Sequence, residues 1–182
     1  IEDCTEIVTE EGESLRALVH EFSDFARMPS LFLKRDDLNH VTMDTVRLYP
    51  EARISLELED LPELDLDIEQ IRRVLINLIE NSVEAAGENG ALAIRTRSLN
   101  KTVKLQVSDS GPGVAEKDRE RIFQPYISTK DSGMGLGLAV VRSIVENHGG
   151  QIAVTDGPDG GAQFEITLPI PEESMKQPEV QP

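Results

Sequence analysis

The chain has 182 residues, with 18 Lys and Arg against 34 Asp and Glu, giving a formal net charge of −16. Such a chain is a poor partner for DNA or RNA, whose phosphates are gripped by Lys and Arg, and it gains nothing from an anionic membrane surface. The charge sum does not exclude a phosphorylated ligand held at a local site. Hydrophobic residues make up 38% and there is no Trp. No run approaches the roughly 20 apolar residues of a membrane span. The length suits one domain with an appendage. The sequence opens on Ile1 rather than Met and reads as an excised piece of a longer protein. The one cysteine, Cys4, permits neither an internal disulfide nor a cysteine metal site. His20, His40 and His148 are scattered without metal-ligand spacing, and His40 and His148 read as surface residues.

In chain order, residues 1–28 read as one helix. Leu15, Leu18, Phe22 and Phe25 form an apolar stripe on it, which wants a partner helix. Met28-Pro29 ends it. Residues 37–48 read as a shorter helix with Leu38, Val41, Thr42, Thr45 and Val46 inward. The alternation from Ile54 to Glu59 is a half-buried strand. Residues 57–69 hold seven acids and no base, and read as an acidic surface segment. Asp67 is placed to cap a helix over 67–86. Two alternating runs, 91–99 and 102–108, form a hairpin around Asn100-Lys101. A glycine-punctuated stretch follows from Asp109 to Gly137, with a short helix near 116–122. A helix over 138–148 closes at Gly149-Gly150, and residues 151–155 and 162–168 form a last hairpin. The tail, 171–182, is expected to be disordered. The pattern is an α+β sandwich of four or five mostly antiparallel strands with helices on one face.

Four local motifs stand in order. Asn77 and Asn81 are four apart on one helix, hence on one face, and an amide oxygen suits Mg²⁺. Asp109-Ser-Gly111-Pro-Gly113 ends a strand in an acid and enters glycines that admit a close ligand. Phe123-Gln-Pro-Tyr126 opens a loop that reaches a lone base, Lys130. Gly133-Met-Gly135-Leu136-Gly137-Leu138 runs into a helix N-terminus, where backbone N–H groups hold anions without net positive charge. Taken singly, each has a bland alternative: exposed asparagines, an acidic turn, a plain loop.

As an ordered set they resemble the N, G1, F and G2 boxes of the GHKL superfamily of ATPases and kinases, over residues 31–170. The resemblance implies the Bergerat fold, a two-layer α/β sandwich with a mixed, mostly antiparallel sheet, here preceded by a long N-terminal helix. Hydrolysing members carry a glutamate four residues before the magnesium asparagine. Here that position is Asn77, and Glu80 lies on another face. A neutral amide is no general base, so the chain resembles a sensor histidine kinase. The run Phe25-Ala-Arg-Met-Pro29 resembles the nitrogen-regulation kinases of the NtrY and NtrB type, NtrY the more.

The resemblance implies a cytoplasmic, ATP- and Mg²⁺-dependent phosphotransferase, the soluble part of a membrane-bound sensor. Residues 1–28 would be the second helix of a dimerisation and phosphotransfer hairpin, 31–170 the catalytic domain. Asp109 would take the adenine amine, with Thr167 assisting through water and Gly111 and Gly113 lining the turn. Asn81 and Asn77 would hold Mg²⁺, with Asn77 also in the catalytic role. Gly133, Gly135, Leu136, Gly137 and Leu138 would bind the phosphates, and Lys130, on a lid over 124–134, would reach the terminal one. The family's phosphoacceptor box has no match here, so the acceptor histidine is expected outside this fragment. The expected partners are ATP, a response regulator and a second copy of the whole kinase, with no nucleic acid and no membrane contact from this fragment. Competing classes are a hydrolysing ATPase clamp, a serine kinase of the mitochondrial dehydrogenase-kinase type, and a nucleotide-binding or dimer platform without kinase activity.

Overall fold

The computed structural model describes residues 30–127, 135–158 and 160–172. The expected helix over 1–28 with His20, the tail after 172, and Lys130 and Gly133 lie outside the described residues. Ten elements of regular structure are found among the described residues. In order they are β1 (Lys34–Asp36), α1 (Leu38–Val46), β2 (Ile54–Leu58), β3 (Leu64–Leu66), α2 (Ile68–Ala86), β4 (Leu92–Leu99), β5 (Thr102–Asp109), α3 (Gly137–Asn147), β6 (Gln151–Asp156) and β7 (Ala162–Pro169). Two 3₁₀ turns, Glu116–Asp118 and Arg121–Phe123, stand where one short helix is expected.

Five strands form one sheet in the order β2-β4-β5-β7-β6. The β2–β4 pair is parallel and the other three pairs are antiparallel. Alternation decides the faces: Val103, Leu105 and Val107 of β5 and Phe164, Ile166 and Leu168 of β7 are all buried. They pack with Ile71, Val74, Leu75, Leu78 and Ile79 of α2 and Val140, Val141, Ile144 and Val145 of α3 into one core. The opposite face carries a polar ladder in which Lys104 and Gln106 both bond Glu165. The helices therefore cover one face only, as a two-layer sandwich requires.

Helix α2 begins where expected. The Asp67 side chain accepts from the Gln70 N–H at 3.2 Å, a standard N-cap. Gly87, at φ 71°, ends it. Thr42 and Thr45 of α1 are fully buried because each hydroxyl bonds a carbonyl one turn back, Leu38 O at 2.8 Å and Val41 O at 2.7 Å.

The acidic segment is where the sequence reading needs correction. Leu64 and Leu66 are each 1% exposed. They form β3, which pairs antiparallel with β1 in a separate two-stranded sheet. Its charges are partly met: Arg35 binds Asp65 at 3.0 Å, and Arg95 grips Glu57 with two nitrogens at 2.8 and 2.9 Å. That Arg95 contact holds the Glu57 carboxyl below its usual range. No helix among the described residues is long and apolar enough to cross a membrane.

If β3 belongs to the core, Leu66→Ala should lower the stability to urea by about 2–5 kcal/mol. Leu56→Ala, at a position 39% exposed on edge strand β2, should change it by about 0.5 kcal/mol or less. Equal effects in denaturation curves would exclude β3 from the core.

Candidate functional site

The sheet delivers Asp109 to the end of β5, on the face covered by helices. It is 3% exposed. Its Oδ1 accepts from the Gly111 N–H at 2.9 Å and the Ala162 N–H at 3.2 Å. No described residue donates to its Oδ2. The neighbouring β7 runs past so closely that a Cβ on Gly161 would collide with the Asp109 carbonyl and lie 2.5 Å from its Oδ1. Only glycine fits there. The carboxylate is thus fixed by backbone donors on one oxygen and open on the other.

Helix α2 crosses above this turn. Its Ala85 carbonyl would lie 2.8 Å from a Cβ on Gly111, so the last turn of α2 rests on the loop Asp109–Gly113. Asn77 and Asn81 stand further back along the same helix, both half-buried. The Asn77 Nδ2 donates to Arg73 O at 2.9 Å, which turns its Oδ1 outward. That oxygen meets the start of α3: a Cβ on Gly137 would sit 2.6 Å from it. Ser82, between Asn81 and Ala85, is fully buried, and its Oγ is the one buried side-chain polar atom without a partner among the described residues. A buried hydroxyl of this kind calls for a water or a ligand.

Helix α3 starts at Gly137 with no side-chain cap and no acid in its first turn. Its leading N–H groups and the positive end of its dipole are therefore available to an anion. Leu136, fully buried, anchors the turn, and Leu138 packs against the core. Gly135, at φ 67°, accepts from the Tyr126 N–H at 3.1 Å, which ties the chain together on either side of residues 128–134. Phe123 is a buried anchor. Its ring packs edge-on against Phe164 with centroids 6.4 Å apart, and the Arg142 guanidinium lies 4.7 Å above it. Arg142 also binds Glu120 at 3.0 Å.

The structure thus gathers Asp109, Gly111 and Gly113 at the C-terminal end of α2, and Asn77 with the start of α3 (Gly137, preceded by Gly135 and Leu136 and followed by Leu138) near its middle, Asn81 lying between. Thr167 is not brought to the site. It pairs with Lys104 and Gln151, on the polar face of the sheet, opposite the face that holds Asp109. The residue facing Asp109 on β7 is Ala162, which the sequence reading missed because it acts through its backbone. His148 is also a correction: it is 6% exposed, not on the surface. Glu80 points elsewhere. Its carboxylate accepts from the Tyr49 hydroxyl at 3.2 Å, and burial together with Glu80 pushes the Tyr49 hydroxyl up to about 12.

Residues 66–172 match the histidine kinase-, DNA gyrase B- and HSP90-like ATPase family, and the chain belongs to it. Among its relatives, the sensor histidine kinase ZraS of Escherichia coli O157:H7 is 34% identical over 172 residues, covering 91% of this chain and 38% of that protein. The nitrogen regulation protein NtrY of Azorhizobium caulinodans is 30% identical over 179 residues, covering 92% of this chain and 23% of that protein. The histidine kinase ThkA, solved in complex with response regulator protein TrrA, superposes with a TM-score of 0.77 at 31% identity, covering 92% of this chain and 50% of that one. The chain therefore spans less than two fifths of the length of either sequence relative.

Replacing Gly161 by Ala should shift β7 against Asp109 and weaken nucleotide binding at least tenfold, because the Ala162 N–H is moved off Oδ1. Thr167→Ala should leave the affinity within about twofold, as for a remote surface change. Calorimetric titration with ATP checks both.

Proposed function

We propose that the chain is the ATP-binding catalytic module of a sensor histidine kinase, which passes the γ-phosphate of ATP to a histidine and from there to an aspartate of a response regulator. The observation that carries this reading is the spacing of two unlike groups along one helix. A carboxylate with one open oxygen stands at the Gly111–Gly113 turn, and the bare N-terminus of α3 stands against Asn77. The open Oδ2 of Asp109 is an acceptor for the exocyclic amine of adenine. The α3 amides are donors for phosphate oxygens.

Mg²⁺ fits the side chains between these groups. Among the described residues no group of three His, Cys, Asp or Glu could hold a metal, so the protein would offer the neutral amide oxygens of Asn81 and Asn77 and the nucleotide the charge. A hard cation accepts such oxygens. Its contribution would be to neutralise charge on the phosphates.

Transfer to histidine rather than to water follows from what surrounds Asn77. No carboxylate stands at its position, and the nearby Glu80 is bonded by Tyr49. With no base to activate water, positioning and charge neutralisation are the chemistry left, and these suffice for phosphoryl transfer. Lys130 is proposed to reach the terminal phosphate. In the whole kinase two copies would pair through the hairpin helices, on the cytoplasmic side of a membrane.

Asp109→Asn keeps the fold but replaces an oxygen acceptor with a competing donor, so ATP binding in calorimetry should fall by at least a hundredfold; unchanged affinity would sink the adenine assignment. Glu80→Gln should leave phosphotransfer by the whole kinase within about twofold, and a loss matching that of Asn77→Ala would restore Glu80 as a base.

A further inference from the structure

His148 is buried and does not belong to the site just described, yet both its ring nitrogens are engaged. Nδ1 lies 2.7 Å from Ile144 O, one turn back on α3. Nε2 lies 3.0 Å from the backbone N of Asp67, from which it accepts. An acceptor nitrogen carries no proton, so the proton sits on Nδ1 and is donated to Ile144 O. The ring is thereby defined as neutral.

This contact lies at the far end of the helix pair. Asp67 heads α2 and His148 closes α3. Ten residues on, Asn77 of α2 meets Gly137, the first residue of α3. At about 1.5 Å per residue, the two spans are about 15 and 16 Å long. Helix α3 thus lies antiparallel to the first three turns of α2, pinned by a polar contact at each end. Between the pins the packing is Ile71 and Val74 against aliphatic side chains, which sets separation far better than axial position. The leading segment joins the same junction, since the Phe32 N–H donates to Asp67 Oδ2 at 3.0 Å.

We infer that His148 is a positioning residue which, in its neutral Nδ1–H form, sets the axial position of α3 on α2 and so holds the phosphate-facing N-terminus of α3 against Asn77. The inference rests on the nucleotide reading above. A second proton on the ring would set N–H against N–H at Asp67 and attract the ring to the Asp67 carboxylate, whose oxygens already serve Gln70 and Phe32. The contact is therefore one that a neutral ring makes and a doubly protonated ring cannot.

The test titrates the 182-residue chain with ATP and Mg²⁺ at about pH 8. His148→Gln, which keeps an acceptor for the Asp67 N–H, should bind within about twofold of wild type. His148→Leu, which orphans that N–H, should be weakened roughly tenfold. A loss in His148→Gln equal to that in His148→Leu, or wild-type affinity in His148→Leu, would overturn the inference. Should a variant not fold, the nitrogen NMR spectrum of the wild-type imidazole decides: a protonated Nδ1 and bare Nε2 support it, and the reverse tautomer overturns it. Absence of any ATP binding by wild type at about pH 8 would instead refute the nucleotide reading, while the tautomer would still report on the latch.

Discussion

A carboxylate at 3% exposure is costly unless its charge is met by donors, and the architecture around Asp109 meets it with backbone alone. One donor is two residues ahead in the same loop and the other is on the neighbouring strand. Both require the chain to pass at a distance that a Cβ forbids, which is why glycines flank the acid at 111 and 161. The sheet order that puts β7 beside β5 is thus also what makes Asp109 tolerable. Its second oxygen remains available for something the protein itself does not contain.

Helix α2 converts that local arrangement into a site with two ends. Its apolar stripe is buried against the sheet. Its asparagines sit at the margin of that stripe, where a neutral amide is far cheaper to half-bury than a charge. This explains how a chain with a net charge of −16 can present a site for a polyanion. Many acids lie in segments remote from the site or are met by arginines, as Asp65 and Glu57 are. The phosphate end relies on backbone amides, whose partial charges do not enter a count of Lys and Arg.

Much of this was readable in advance, for identifiable reasons. The two hairpins follow from strict alternation, α2 from its stripe and the Asp67 cap, and α3 from the Gly149-Gly150 stop. Strands β1 and β3 were missed because each has three residues. Leu64 and Leu66 also sit in a run of acids that reads as solvated. Their burial depends on pairing with residues thirty positions earlier, which local pattern does not carry. The expected help of Thr167 at the adenine depends on register: counting by twos from Ala162, beside the Asp109 carboxylate, puts Thr167 on the other face. The burial of His148 depends on Asp67, 81 residues away, and no spacing in the sequence announces it.

The central claim is that one adenine nucleotide spans from Asp109 to the start of α3. Backbone amide NMR on the chain, titrated with ATP and Mg²⁺, tests it without mutation. The account predicts saturable shifts at Gly111 and Ala162, beside the carboxylate, together with Gly137 and Leu138 at the head of α3. Shifts confined to the groove lined by Leu48, Tyr49 and Val83, or none at the Asp109 turn and the head of α3, would contradict it.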